Sequence, residues 1–205
     1  MADSPGGRIA GIVLAAGAST RMGRPKQTLD LGGMPVVAHV VERVLASELD
    51  EVIVVTGGAG EEVAAALAGY PIRIVPNPAF RDGQSTSLIA GLRALPEDVR
   101  AAVVVLGDQP GVDPADIAAV AVRGRAVPPP PIVMTAYGSE RSHPVLFGRA
   151  VFPELLAISG DQGGREVIRA HASEVAVVAS AHPHPPVDLD TDEAYRQLLD
   201  AWPRP

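Results

Sequence analysis

The chain contains no cysteine in its 205 residues. Disulfides, thiolate metal sites and cysteine nucleophiles are thereby excluded together, which suits a cytoplasmic protein. Aromatic residues make up only 3%, too few for the stacking platforms that grip single-stranded nucleic acid. A net charge of −7 argues against a broad basic face, so no nucleic acid partner is expected. No apolar run approaches the roughly 20 residues of a membrane span. Met1 to Arg8 lacks a cationic start and apolar core, so neither a membrane nor a secretory route is expected. What is plentiful is apolar: 47% hydrophobic residues, enough for a sizeable core. The length suits one domain, residues 1–205.

The most informative stretch runs from Ile12 to Lys26. Ile9 to Leu14 has the length and β-branched content of a buried strand. It empties into small residues, Ala15, Ala16, Gly17, Ala18 and Ser19, which let the backbone turn and approach a ligand closely. Three cations follow, Arg21, Arg24 and Lys26. Free backbone N–H groups and cations at a strand end cradle polyphosphate. The Walker loop is excluded because Gly23 is followed by Arg24-Pro25-Lys26, and the dinucleotide fingerprint because Gly17-Ala18-Ser19 breaks it.

Further along, apolar runs and helical spacings alternate. Met34-Pro35 opens a helix with a stripe of Val36, Val37, Val40, Val41, Val44 and Leu45, with His39 near its surface. Val52 to Val55 reads as a strand, Glu61 to Leu67 as a helix, and Ile72 to Val75 as a strand. Such alternation implies a parallel sheet with right-handed crossovers and a ligand crevice outside the carboxyl ends of the strands. Thr56 ends a strand on that edge; a plain turn is the alternative. A polar loop from Asn77 leads to Gly83 and a helix from about Gln84 to Leu95, whose start is dense in Ser85, Thr86 and Ser87. Those residues offer hydroxyls and N–H groups at the positive end of the helix.

Ala101 to Leu106 is the most apolar strand and is expected to be central; it ends in Gly107-Asp108-Gln109-Pro110. A carboxylate at that edge, beside a triphosphate, calls for an intervening cation, and Mg²⁺ binds through one or two carboxylates plus substrate phosphates. Asp113-Pro114 starts a helix to about Arg123, and after four prolines Ile132 to Thr135 is a strand. Ala150 to Ile158 is read as helical with Pro153 in its first turn, Glu166 to His171 as a helix and Val175 to Val178 as a strand. His182-Pro183-His184 resembles a metal pair but has no evident third ligand, so it is read as surface loop. Thr191 or Asp190 can cap a last helix running to Trp202.

Leu14-Ala-Ala-Gly17-x-x-x-Arg21-Met22-Gly23-x-x-Lys26 resembles the signature of the molybdopterin nucleotidyltransferase-like family. The Ala-Ala-Gly form is closer to the cytidylyltransferases of the molybdenum cofactor than to the guanylyltransferases. The resemblance spans essentially the whole chain. It implies a three-layer α/β Rossmann-like fold: a mostly parallel sheet, helices on both faces, and one antiparallel strand near Val145. It implies transfer of NMP from an NTP, CTP in the nearest relatives, to a phosphorylated small-molecule acceptor such as molybdopterin, with release of pyrophosphate. Alternatives are a guanylyltransferase of the same cofactor, a sugar-1-phosphate nucleotidyltransferase, or a chaperone-like module that binds without turnover. A molybdoenzyme or its chaperone is the implied protein partner.

The resemblance also carries roles, residue by residue. Leu14, Ala15, Ala16, Gly17, Ser19, Arg21 and Lys26 hold the nucleotide, Arg21 and Lys26 as catalytic cations. Asn77, Gly83, Gln84, Ser85 and Ser87 match a segment that contacts base and sugar. Asp108 matches the metal-binding aspartate of a Gly-Asp-x-Pro motif, and Asp190 the second metal aspartate. This chain has Asp192 where Pro is common and Ala194 where an acid is common, which affects the helix start rather than the ligand. His143, in a His-Pro-Val segment, and Arg165, after a Gly-Asp-x-Gly segment, fall on the acceptor side; a hairpin-edge His and a solvated loop Arg are the alternatives. The acceptor phosphate is already anionic, so no general base is needed, and catalysis reduces to alignment and charge neutralisation.

Overall fold

A computed structural model describes residues 7–17, 19 and 22–203. β1 (Arg8–Ala15) is covered on almost every residue, as a strand flanked on both sides and both faces must be. The loop after it holds a short 3₁₀ turn, Lys26–Thr28. A small antiparallel ladder follows, β2 (Asp30–Leu31) against β3 (Met34–Pro35). Met34 and Pro35 were expected inside the next helix. They pair instead with Leu31 and Asp30, and α1 (Val36–Leu45) begins one residue later.

β4 (Glu51–Thr56), α2 (Gly60–Ala66) and β5 (Arg73–Pro76) complete the first half. α3 (Gln84–Arg93) leads to β6 (Val99–Leu106), α4 (Pro114–Gly124), β7 (Ile132–Tyr137) and β8 (Glu140–Gly148). α5 (Phe152–Leu155), α6 (Arg165–Ala170), β9 (Val175–Ala179) and α7 (Asp192–Ala201) close the chain. α4 starts as its sequence dictates: the Asp113 carboxylate accepts from the Ala115 N–H at 2.8 Å, with Pro in the first turn. Thr191 caps α7 by accepting from the Ala194 N–H at 3.1 Å. The helix expected over Ala150 to Ile158 is a 3₁₀ turn at Arg149–Val151 and the four-residue α5. Pro153 confines it, since a residue without an N–H fits only the first turn.

The seven-stranded sheet has the order β5-β4-β1-β6-β8-β7-β9. β6 is fourth of seven, as its composition predicts. Only β8 runs antiparallel to its neighbours, and Val145 lies in it, opposite Val104. α1, α2 and α4 bury Val40, Val63 and Ile117 against one face of the sheet. α3, α5 and α6 bury Leu88, Leu155 and Val167 against the other. This is the three-layer arrangement expected. A third, separate cluster joins Met22, Leu29, Leu31 and Val36 to Leu189, with Tyr195 and Trp202 packed on it. No helix among the described residues is long and apolar enough to cross a membrane.

The chain leaves β1 towards β4 and β5 on one side and returns to β6 on the other. The strand order therefore reverses between β1 and β6, and a crevice opens there beyond the strands' carboxyl ends.

Candidate active site

At that crevice the two central strands stay close past their ends: the Gly107 N–H donates to the Leu14 carbonyl at 2.9 Å. A Cβ on residue 107 would lie 2.9 Å from that same oxygen, so glycine is what lets the strands close up and present the next residue, Asp108, to the crevice.

Lys26 is the hub. Its ammonium donates to Asp108 Oδ2 and, at 2.7 Å, to Asp190 Oδ1. Asp108 comes from the end of β6, Asp190 from the segment before α7, and Lys26 from the loop after β1. Three distant stretches thus meet on the edge expected. Burial alone would depress the Lys26 amine; the charges and hydrogen bonds of Asp108 and Asp190 outweigh it and hold the amine above its ordinary value.

The loop carrying Lys26 is folded by side chains. Ser19 Oγ accepts from the Lys26 N–H at 3.0 Å, and Gln27 Nε2 donates to the Gly17 carbonyl at 3.1 Å. Gln27 is 2% exposed, and its clamping role was not read from the sequence; a polar residue beside a lysine carries no periodic signal. Arg24, grouped with the phosphate cations, is instead paired with Asp192 at 2.8 Å, over the Tyr195 ring. The departure Asp192 thus gives Arg24 its partner. Arg21 lies outside the described residues, as do Ala18 and Thr20.

A cleft of about 610 Å³ opens at this hub. Leu14, Ala16, Gly17 and Lys26 line it from the first loop, Asp108 and Asp190 from the carboxylate side, and Gly83, Gln84 and Ser87 from the start of α3. Gln27, Phe80, Arg81, Leu106 and Asp161 line it as well and were not among the expected residues. Gly83 adopts φ 114°, and a Cβ on it would lie 2.5 Å from the Gly160 carbonyl. That contact docks the 3₁₀ turn Gly160–Gln162 on the helix start and brings Asp161 to the rim.

The remaining expected residues lie around the cleft rather than on its wall. Ala15 is buried beneath it. Thr56 and Asn77 line an adjoining groove of about 700 Å³, which shares Phe80 with the cleft. Asn77 is 5% exposed. Its amide donates to Thr86 Oγ1 at 2.9 Å and Ser87 Oγ at 3.0 Å, and its oxygen accepts from the Ala79 N–H at 3.0 Å. It builds the start of α3. Ser85 is buried, and its hydroxyl has no partner among the described residues. His143 sits on β8 two residues before Val145, hence, since β8 runs antiparallel to β6, towards the crevice edge. Burial, with the Arg165 charge adding to it, holds its imidazole down at about 4, so it is neutral near pH 7. Arg165 is exposed at the first position of α6.

Two expectations about histidine are settled by contacts. His39 lies half-buried on α1, near the helix surface as expected, where its Nε2 meets the Leu31 carbonyl at 2.6 Å and its ring stands edge-on to Trp202. His182 pairs with Asp113 at 2.7 Å. No group of three or more His, Asp or Glu among the described residues is arranged to hold a metal by itself. The Asp108 and Asp190 pair is a different case. Hard oxygen donors that already share one cationic group suit a hard divalent cation, provided other oxygens, such as phosphates, complete its shell.

Residues 11–177 match the family described as the MobA-like NTP transferase domain. The chain belongs to that family, and it is a nucleotidyltransferase by family. Among curated proteins it is 31% identical to the nicotine blue oxidoreductase of Paenarthrobacter nicotinovorans over 200 residues, 93% of this chain and 96% of that one. Among solved structures it matches Rv0371c of Mycobacterium tuberculosis H37Rv with TM-score 0.85 and 32% identity, covering 95% of this chain and 99% of that one. The same protein's manganese complex matches with TM-score 0.82 and 31% identity, covering 95% and 98% of the two chains. A nucleotidyl transferase from Methanothermobacter matches with TM-score 0.81 and 27% identity, covering 95% and 97%.

Proposed function

We propose that this protein transfers NMP from an NTP, with CTP as the first choice, to a phosphate on a small acceptor of the molybdopterin kind, releasing pyrophosphate. The observation that carries the reading is the Lys26 ammonium held between Asp108 and Asp190 at the mouth of a nucleotide-sized cleft. In this reading Asp108 and Asp190 hold a divalent cation, Mg²⁺ or Mn²⁺, which supplies neutralisation of phosphate charge. Lys26, released from the carboxylates when phosphates enter, binds phosphate oxygens, and Arg21 adds a second positive charge. The N–H groups around Gly17 meet the same oxygens.

Gly83, Gln84 and Ser87 hold the base and sugar against the start of α3, whose first turn has no side-chain cap and so leaves N–H groups for the ligand. Asn77, Thr56 and Ser85 keep that wall in shape. The acceptor enters from the side of His143 and Arg165, where a neutral imidazole donates a hydrogen bond without carrying charge and Arg165 pairs with an anionic group. An acceptor phosphate oxygen attacks the α-phosphorus; that P–O bond forms as the bond to the pyrophosphate oxygen breaks. Rate comes from alignment and charge neutralisation.

The test is pyrophosphate release from each of the four NTPs, with and without molybdopterin, in Mg²⁺ and in Mn²⁺. Acceptor-dependent release favouring CTP supports the reading. Release favouring GTP, or only with a sugar 1-phosphate, moves the substrate within the family. Tight nucleotide binding with no release under any pair leaves a binding module. A second reading is carried by the 31% identity to a relative named as an oxidoreductase. Redox turnover of a substrate without pyrophosphate release would favour it.

A further inference from the structure

The segment bearing Asp190 reaches the cleft after a long detour: β9 is at the far edge of the sheet, and an exposed proline-rich loop, 181–187, precedes it. Near the carboxylates backbone and side-chain contacts hold it. The Leu189 N–H donates to the Asp108 carbonyl at 3.1 Å, and the Asp190 N–H to the Asp188 carbonyl at 3.0 Å, making a tight turn. The Leu189 side chain is fully buried in the third apolar cluster. Beside the Lys26 bond to Asp190, a further tie is made by Gln109, the residue after the metal-side aspartate. Its amide Nε2 donates to Asp188 Oδ1 at 2.7 Å, and the residue is only 3% exposed.

The chemistry of that tie is specific. Asp188 lies two residues before Asp190, in the same tight turn, and is a third carboxylate beside the pair. Unheld, a third carboxylate would swing away from the other two and take Asp190 with it. A lysine or arginine at 109 would hold it, but would also neutralise the field that draws a cation. A glutamate would add a fourth negative charge. A neutral amide donor restrains Asp188 and leaves the charge balance of the pair unchanged.

We propose that Gln109 is a positioning residue: through Asp188 it pins the 188–190 turn to the end of β6, so that Asp190 faces Asp108 and the two act together on one divalent cation. The proposal rests on the metal assignment made above. Asp188 is a handle in this arrangement and not a ligand.

The experiment uses the full chain and Mn²⁺ as probe. Mn²⁺ affinity is measured by titration, hydrogen exchange at the peptide containing Leu189 reports the turn, and a thermal melt reports folding. Gln109→Met, close in shape but without the amide donor, is expected to weaken Mn²⁺ binding by about tenfold or more, within the range for loss of a supporting hydrogen bond around a metal ligand. Exchange at Leu189 is expected to speed up, and turnover to recover at saturating metal, moving the metal requirement more than kcat. Gln109→Leu is the second variant should the first fail to fold. Asp188→Asn keeps an oxygen for Gln109 to bond and is expected to bind Mn²⁺ far more tightly than Asp108→Asn does. Unchanged Mn²⁺ affinity and unchanged exchange in both Gln109 variants would overturn the proposal, and so would Asp188→Asn losing Mn²⁺ as completely as Asp108→Asn. If Asp108→Asn itself binds Mn²⁺ like the parent, the metal assignment beneath the proposal fails, a result distinct from failure of the tie.

Discussion

Replacing Lys26 by Met should make the protein less stable, slower, and a better binder of bare divalent metal. The lysine and Asp108 side chains are 12% and 17% exposed, so that bond is shielded. Asp190 is 46% exposed, so its bond is partly screened. A charge-assisted bond contributes about 1.5–3 kcal/mol, and an exposed one no more than about 1 kcal/mol. Together they give a loss of about 2–4 kcal/mol in the ligand-free protein, or roughly 5–15 °C in melting temperature at this chain length. The Lys26 amine is raised, so its pairing is fully present below its unfolded value near about 10.4 and fades only as pH rises through the higher folded value. Comparison at neutral pH therefore reads the whole effect.

A cation entering the parent protein must displace the ammonium, whereas in the variant it need not. Mn²⁺ affinity without nucleotide should rise by about tenfold or more, each tenfold being about 1.4 kcal/mol. Turnover should nevertheless fall by about 10²–10³, the usual cost of losing one group that meets developing phosphate charge. Calorimetric Mn²⁺ titration, a thermal melt and single-turnover pyrophosphate release at saturating metal give the three readouts. A variant as stable as the parent that binds Mn²⁺ more weakly would refute the reasoning.

Three further outcomes follow from the same geometry. Gly83→Ala forces a side chain into a backbone at φ 114° and against the Gly160 carbonyl; a loss of about 1–3 kcal/mol in urea unfolding is expected, with a raised KM for nucleotide, and an unchanged KM would count against this wall of the cleft. Leu189→Ala removes a fully buried side chain from the third apolar cluster and should cost about 2–4 kcal/mol, seen as a lower urea midpoint at constant slope. His143 is held near 4 when folded against about 6.5 unfolded. The fold favours its neutral form, so its contribution is intact above about pH 6.5 and is lost as pH falls towards 4, up to about 3 kcal/mol. Urea unfolding across that window should slope less in His143→Gln than in the parent, and identical slopes would contradict the assignment.

The parallel strands were legible because each carries an apolar run, whereas β8, opening Glu140-Arg141-Ser142-His143, was expected only by resemblance. Ala101 to Leu106 announces a central strand by lacking any polar residue, and β6 occupies the middle of the sheet. Asp108 was legible because it follows such a strand almost directly, and Lys26 because it closes the small-residue loop after β1, on the edge where strand order reverses. Asp190 was legible only by resemblance, since nothing in an acidic segment 82 residues beyond Asp108 tells where the chain returns. Gln27 and Gln109 were not legible at all. Each acts through side-chain hydrogen bonds to groups distant in sequence or around a tight loop, and a lone buried amide leaves no periodicity. The partner of Arg24 was hidden for the complementary reason: its neighbours in sequence are the cations of the loop, but its neighbour in space is Asp192 on α7.

The central claim is that two aspartates and a lysine, gathered from three distant stretches, let one phosphate attack another. The most direct measurement follows NMP from an α-labelled NTP onto a phosphorylated acceptor, comparing the parent with Asp108→Asn and Asp190→Asn at equal folded fraction. Label on the acceptor with equimolar pyrophosphate is expected in the parent, and a collapse of both in each variant. Undiminished transfer by either variant would contradict it.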